Sequence, residues 1–483
     1  MERSICARRR AMNTPDVDFR KIEKLLNPES IAVVGASNNR EKVGSIIFEG
    51  LKRSRARLYP VNPHEEVISG HKSYPAVSDL PATVDVAVIT VRAEKAVEIA
   101  EQCGRRGVGS LIIVAGGFAE AGDPGRVLQR RLLELPGKWG IRILGPNSLG
   151  VFVPENRYDT IFVEHGDRAL AEGGGIAFIS QSGSVGVEAL GLASNTGFPM
   201  RAFVGLGNKI DLNELDFLRF FGAEERTDCI ALYIENVEQG RTFLEAAREV
   251  SRRKPVIALK AGRTPSGVTA VSSHTGKLAG SDRVVSGAFR QYGVQRAFDD
   301  EELCDAAKTL SYLPPARGNR VAVMTGAGGF GVMCADYIET DSPRARLKMA
   351  ELSQATMDRI RETAPSFASC HNPVDLTAEV DNGMFVHTLQ ALLADCGVDI
   401  VICITFFAPH AVTDDLIDRM ADAVEGSEKP VLIFTEYGPF TDTYLKEFYK
   451  KRMIGFPSLT RTVRAARFLV ERGRILSALG ERR

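Results

Sequence analysis

Gly175–Gly186 reads GIAFISQSGSVG, and Arg320–Gly331 reads RVAVMTGAGGFG. Each joins a short apolar run to a turn of glycine and small polar residues, and then to a helical pattern. A short apolar run bounded by glycine predicts a buried strand, and the turn predicts a helix start at the end of that strand. The two stretches open two copies of one plan. Asp228–Ile234 (DCIALYI) corresponds to Asp399–Thr405 (DIVICIT), and KPVIALKAG from Lys254 corresponds to KPVLIFTEYG from Lys429. Each copy closes on a helical segment, Glu301–Leu313 and Arg461–Arg472. Their spacings differ, which predicts an insertion in the later copy around Pro343–Val374. Pro314–Gly318 (PPARG) reads as the linker.

Ahead of the copies lies another alternating α/β region. Ser30–Val34 (SIAVV), Arg57–Val61, Val84–Thr90, Ser110–Val114 and Ile141–Leu144 read as strands, with a helix through Ile46–Leu51. The fold class is therefore α/β: a Rossmann-like domain followed by two flavodoxin-like domains. The expected boundaries are a basic, disordered extension at 1–26, then 27–150, 151–313 and 318–483. A duplicated fold alone says nothing about chemistry.

The 483 residues carry 61 basic and 61 acidic side chains, a formal net charge of zero. That balance leaves no electrostatic footprint for nucleic acid or an anionic membrane. No apolar run approaches the roughly 18–20 residues of a membrane span. The 8 cysteines are scattered without a C-x-x-C pair, so neither a disulfide framework nor a zinc site is expected. Met1–Arg10 carries Arg3, Arg8, Arg9 and Arg10 without an apolar stretch, unlike a secretory signal. Translation starting at Met1 and at Met12 are both compatible with this, and the cytoplasm is the expected compartment.

Three strand–turn–helix junctions could hold a phosphorylated ligand on free backbone N–H groups. The first is Gly35-Ala36-Ser37-Asn38-Asn39-Arg40, followed by Lys42. A dinucleotide site would carry G-x-G-x-x-G here, with an acid at the end of the second strand for the ribose hydroxyls. That end is Asn62-Pro63 instead. Hydroxyl, amide and basic groups suit a more heavily phosphorylated nucleotide such as coenzyme A, with a plain tight turn as the competing reading. Gly326–Gly331 does spell G-x-G-x-x-G, but in the third domain, where a phosphate or subunit-contact loop is the better reading.

The copies also differ in one long stretch. The second domain continues from Arg263 through Val271-Ser272-Ser273-His274-Thr275-Gly276-Lys277-Leu278-Ala279-Gly280-Ser281-Asp282, whereas the third has PFTDTYLKEFYK. A long loop of Gly, Ser and Thr around one histidine has little with which to pack, so ligand contact is expected. A plain surface histidine is the alternative. The other six histidines show no metal-ligand spacing, and no metal site is expected.

GIAFISQSGSVG, Gly207–Asp211 (GNKID), Tyr233-Ile234-Glu235 and above all Ser272–Asp282 (SSHTGKLAGSD) resemble the NDP-forming acyl-CoA synthetases. Within that family the ADP-forming acetate–CoA ligase alpha subunits, relatives of succinyl-CoA synthetase, are most similar, from about Asn27 to the C-terminus. The resemblance implies a CoA-binding first domain and interconversion of acyl-CoA, phosphate and NDP with free acid, CoA and NTP. It places the phosphoryl-carrying histidine at His274 and its orienting carboxylate at Glu235. Phosphate would rest on Ser182, Gly183 and Ser184, with Asn147 (in Gly145–Ser148) and Gly328-Gly329 as further contacts. CoA would meet Gly35, Ser37, Asn38, Arg40, Lys42, Asn62 and Pro63. The three domains leave no room for an ATP-grasp domain. Mg-ADP/ATP is therefore expected on a separate ATP-grasp beta subunit in an α2β2 complex, with the His274 segment as a swinging arm. The chain departs from the family pattern at Lys277, Asn236 and Phe330. A CoA-binding sensor without catalysis and an NAD-dependent oxidoreductase are the competing functions.

Overall fold

A computed structural model describes residues 19–163, 174–196, 198–275, 281–342 and 344–480. The chain divides into two compact units, Met1–Val163 with Gly205–Ala223, and Glu164–Val204 with Glu224–Arg483.

The first unit is built on a parallel sheet ordered Arg57–Val61, Ser30–Val34, Val86–Ile89, Ser110–Ile113, Arg142–Leu144. Numbered along the chain, the strands lie 2-1-3-4-5, a doubly wound order whose switch point falls between the first and third strands. All five residues of Ser30–Val34 are buried, as an inner parallel strand covered on both faces requires. The helix Val43–Leu51 returns over the first turn at close range. A Cβ on Gly44 would lie 2.0 Å from the carbonyl oxygen of Gly35, so only glycine fits there.

Two expectations for this region are corrected. Residues 19–26 are not part of a disordered extension: Phe19–Leu26 (FRKIEKLL) is a helix burying Ile22, Leu25 and Leu26. Its apolar residues recur at helical spacing, and Phe19 meets the ring of Phe220 edge-on at 5.9 Å. Residues 1–18 lie outside the described residues. Second, Gly205–Ala223, read as part of 151–313, packs within the first unit. Asp211 explains this, because its carboxylate accepts from Arg142 Nε at 2.9 Å and from the Ile143 N–H at 2.8 Å.

The second unit holds both copies. In the first copy the order is Val294–Ala297, Val256–Lys260, Cys229–Ile234, Ile176–Ser180, Met200–Gly205. In the second it is Lys348–Met349, Arg320–Thr325, Ile400–Thr405, Val431–Thr435, Ile454–Phe456. Both are again 2-1-3-4-5. The later copy has an added helix, Gln354–Arg361, and a short strand, Val374–Asp375, paired to Arg320–Thr325. These elements account for the spacing difference.

The C-terminal helix Leu459–Ala478 belongs to both copies. It packs on Asp300–Tyr312 and on Gly328–Glu339. Arg461 forks onto Asp305 with two 2.8 Å hydrogen bonds, and Gln295 Nε2 donates to the Phe468 carbonyl at 3.0 Å. Nearby, the fully buried Lys308 donates to the Tyr449 hydroxyl at 2.7 Å and lies over the Phe456 ring.

The segment around His274 is also corrected. Pro265–Thr275 is helical rather than an open loop. The Thr264 hydroxyl accepts from the Gly267 N–H at 3.1 Å, and its carbonyl accepts from Val268. Thr followed by Pro at a helix start is a capping signal present in the sequence. Val271 is buried, whereas Pro265, Ser266, Thr269 and Ala270 are exposed.

Candidate functional site

The switch point of the second domain lies between Ile176–Ser180 and Cys229–Ile234, which pair with Ser180 opposite Tyr233. Here the chain gathers Ser182, Gly183, Ser184 and Glu235. The Ser180 hydroxyl closes the turn, accepting from the Ser182 N–H at 3.2 Å and donating to the Ser182 carbonyl at 2.7 Å. Ser182 then caps the helix Gly183–Thr196. Its Oγ accepts from the Val185 N–H at 3.4 Å and lies 3.1 Å from Ser184 Oγ. The helix start therefore presents hydroxyls and backbone N–H groups, the donor set an oxyanion takes.

Glu235 stands across the switch point, 4% exposed. What holds it is Gln181, which the sequence reading passed over. Gln181 Oε1 accepts from the N–H groups of Glu235 at 2.6 Å and Asn236 at 3.2 Å, while its Nε2 donates to the Asn236 carbonyl at 2.9 Å. One amide thus ties the two strand ends together. The Tyr233 hydroxyl hydrogen-bonds the Glu235 carboxylate, and burial together with that negative charge pushes the phenol up to about 12. Lys260, buried at the end of the neighbouring strand opposite Ile234, adds a cation to this sheet end. A glutamine directly after a strand, facing the loop of the paired strand, was the available signal for Gln181.

The backbone of His274 falls in the helix Pro265–Thr275 of the same unit. Its side chain and residues 276–280 lie outside the described residues.

The third-domain turn is built differently. Thr325 Oγ1 accepts from the Ala327 N–H at 2.8 Å, and the helix Gly328–Glu339 begins without a side-chain cap. A Cβ on Gly328 would lie 2.3 Å from Asp375 Oδ2. The carboxylate of the inserted strand thus lies against Gly328, with open space beside Gly329.

In the first unit, Gly35, Ser37, Asn38, Arg40 and Lys42 line the turn at the switch point, with Asn62 and Pro63 at the end of the second strand. Most of their polar groups have internal partners. Asn62 Nδ2 donates to the Ala36 carbonyl at 2.8 Å, and Asn62 Oδ1 accepts from the His64 N–H at 2.8 Å. Asn38 Nδ2 donates to the Val67 carbonyl at 2.8 Å. Glu65, absent from the expected set, reaches back into the turn. It accepts from Ser37 Oγ at 2.8 Å, the Asn38 N–H at 3.0 Å and Asn38 Nδ2 at 2.6 Å. The Ser37 hydroxyl, the Asn38 N–H and the Lys42 charge hold its carboxyl below the usual range. Arg40 and Lys42 are exposed. Asn147 is exposed too, in a left-handed conformation (φ 57°), with its N–H on the Ala115 carbonyl at 2.9 Å.

Among the described residues no cluster of His, Cys, Asp and Glu could hold a metal ion, and no helix is long and apolar enough to cross a membrane.

Comparison with known families matches residues 29–154 to a CoA binding domain, 173–310 to a succinyl-CoA ligase like flavodoxin domain, and 321–468 to a ligase-CoA domain. The chain is 36% identical over 447 residues to the Pyrococcus furiosus acetate–CoA ligase [ADP-forming] II subunit alpha, covering 91% of this chain and 94% of that one. It is 35% identical over 454 residues to subunit alpha of the isoform I enzyme of that organism, covering 92% and 96%. Among solved structures it resembles dinucleotide forming acetyl-coenzyme A synthetase 1 of Ca. Korarchaeum cryptofilum, in complex with phosphate and ADP. The TM-score is 0.87 at 33% identity, over 95% of this chain and 98% of that one. The chain belongs to the family of ADP-forming acetate–CoA ligase alpha subunits.

Proposed function

We propose that this chain is the alpha-type subunit of an NDP-forming acid–CoA ligase that works through a phosphohistidine at His274. Phosphate attacks the acyl carbon of acyl-CoA, the C–S bond breaks, and CoA leaves as the thiol. The imidazole of His274 then attacks phosphorus, releasing the carboxylic acid, and the phosphoryl group passes to NDP. A neutral imidazole is the nucleophile this requires, and an ordinary histidine supplies one near neutral pH. Glu235 would hold the other ring N–H and stabilise the charged phosphohistidine.

The single observation that carries this reading is the second-domain switch point, where a Ser182-capped helix start faces a buried Glu235 fixed by Gln181. It offers donors for an oxyanion on one side and an orienting carboxylate on the other. Asn147, Gly328 and Gly329 are proposed as further phosphate contacts. The Gly35–Lys42 turn with Asn62 and Pro63 is the proposed CoA site: its glycine turn and cations suit phosphates, and Glu65 sets the charge that CoA meets there.

The nucleotide would be Mg-ADP/ATP, held by a separate ATP-grasp subunit in an α2β2 assembly. A supporting comparison is the acetate–CoA ligase [ADP-forming] I of Archaeoglobus fulgidus, 38% identical over 405 residues, of which this chain covers 57%. The rest of that chain is what a separate subunit would supply.

Incubation with acetyl-CoA and radiolabelled phosphate tests the proposal. Acid-labile, base-stable label on the wild type and none on His274→Ala is expected. Absence of label with acetyl-CoA, and with an added ATP-grasp subunit and labelled ATP, would leave a CoA-binding sensor as the better account.

A further inference from the structure

The first-domain turn has the shape of an anion site, yet an anion of the protein already sits in it. Glu65 follows the second strand, in the short segment between Pro63 and the strand Val67–Ile68. Its two carboxylate oxygens divide the turn between them. Oε1 accepts from Ser37 Oγ at 2.8 Å and lies 3.3 Å from Asn62 Nδ2, and Oε2 accepts from the Asn38 N–H and side-chain amide at 3.0 and 2.6 Å. A hydroxyl and a backbone N–H beside a glycine turn are the groups that a phosphate oxygen would use. An oxygen bonded to both would fall within about 3 Å of each donor, in the volume the carboxylate fills. Two anions cannot share that place without strong repulsion.

The turn has anchors besides Glu65. Asn38 is anchored separately, its Nδ2 on the Val67 carbonyl at 2.8 Å and its Oδ1 on the Ser69 N–H at 3.0 Å. Asn62 ties the second strand to the Ala36 carbonyl at 2.8 Å. Glu65 itself is half-buried and borders solvent, so its side chain can rotate out while the backbone stays in place.

We infer that Glu65 is a built-in occupant of the first domain's ligand turn, displaced when a phosphorylated ligand enters, so that its charge sets the affinity for that ligand. The inference rests on the proposed CoA site. It makes Glu65 a specificity-determining residue: it penalises ligands in proportion to the charge they bring to Ser37 and Asn38, and leaves uncharged nucleosides unaffected.

Titration calorimetry on the full chain at low ionic strength tests it with CoA, inorganic pyrophosphate and adenosine as probes. Glu65→Gln removes the charge at nearly constant volume, and Glu65→Ala removes the occupant. Both should bind CoA and pyrophosphate on the order of tenfold more tightly than wild type, with adenosine unchanged. The gain should shrink as salt is raised. Unchanged or weaker pyrophosphate binding by both variants, with wild-type thermal stability, would overturn the inference and make Glu65 a ligand acceptor or a strut. If no form of the protein binds CoA, the coenzyme reading of this domain fails, and the pyrophosphate series alone decides the role of Glu65.

Discussion

The second and third domains share one strand order and one strand–turn–helix opening, but they treat the helix start differently. In the second, a neutral serine caps the helix, and Glu235 is held on the adjoining strand end by Gln181. In the third, Thr325 closes the turn and Asp375, carried in by the insertion, sits against Gly328. The same backbone thus sits in two electrostatic settings. A helix N-terminus attracts an anion, and that anion can come from solution or from the chain itself. The first domain adds a third arrangement, in which Glu65 occupies the turn. The three junctions thus differ in where a carboxylate lies, on the turn or beside it.

Substitutions at these carboxylates and their neighbours can break the contrast. The largest effect is expected at Glu235: Glu235→Gln keeps the fold, being nearly isosteric, and slows phosphohistidine formation by about 10²–10⁴ in rapid-quench labelling. An unaltered rate would remove Glu235 from the chemistry. Ser182→Asp gives the second domain the charge pattern of the third. Aspartate caps a helix as well as serine does, so melting temperature should hold while phosphoryl transfer falls by about 10². Retained activity would show that phosphate does not use this helix start. Gln181→Ala keeps the Glu235 carboxylate but frees the strand ends that hold it, and about a tenfold loss in rate is expected. The smallest effect belongs to Asp375→Asn, where turnover should stay within about twofold of wild type. A large gain would mean that the third-domain turn also receives phosphate.

The junction between the two copies supplies a pH test. Burial lowers the Lys308 ammonium to about 8, below its ordinary value of 10.5. The folded state therefore holds fewer protons than the unfolded one between these values, and stability from this group rises with pH across that window. Thermal melts of wild type and Lys308→Met should show the wild type gaining on the variant from about pH 8 to 10.5. Parallel curves would place the Lys308 charge outside the stability balance.

Much of this architecture was legible in the sequence because parallel strands buried on both faces leave continuous apolar runs. IAFIS and CIALYI appear as strands within a residue of their expected ends, and VIALK within two. The duplication was legible for the same reason. What escaped notice depends on side chains that reach across chain distance. Gln181 clamps Glu235 from the neighbouring strand, and Glu65 turns back on Ser37, contacts that no linear spacing announces. Composition misled at Pro265–Thr275, where Gly, Ser and Thr suggested a loop although Thr264-Pro265 marks a capped helix. It misled again at Phe19–Leu26, where neighbouring arginines hid an amphipathic turn pattern.

The C-terminal helix Leu459–Ala478 carries a consequence for how the chain can be cut or fused. It caps the third domain, but Arg461 grips Asp305, and Gln295 of the second domain bonds its Phe468 carbonyl. Removing the tail would therefore strip cover from a region more than 150 residues upstream, and expressing the second domain without it would expose apolar surface. The two copies should melt in one cooperative transition, and gene fusions that lengthen this protein should attach beyond the helix rather than within it.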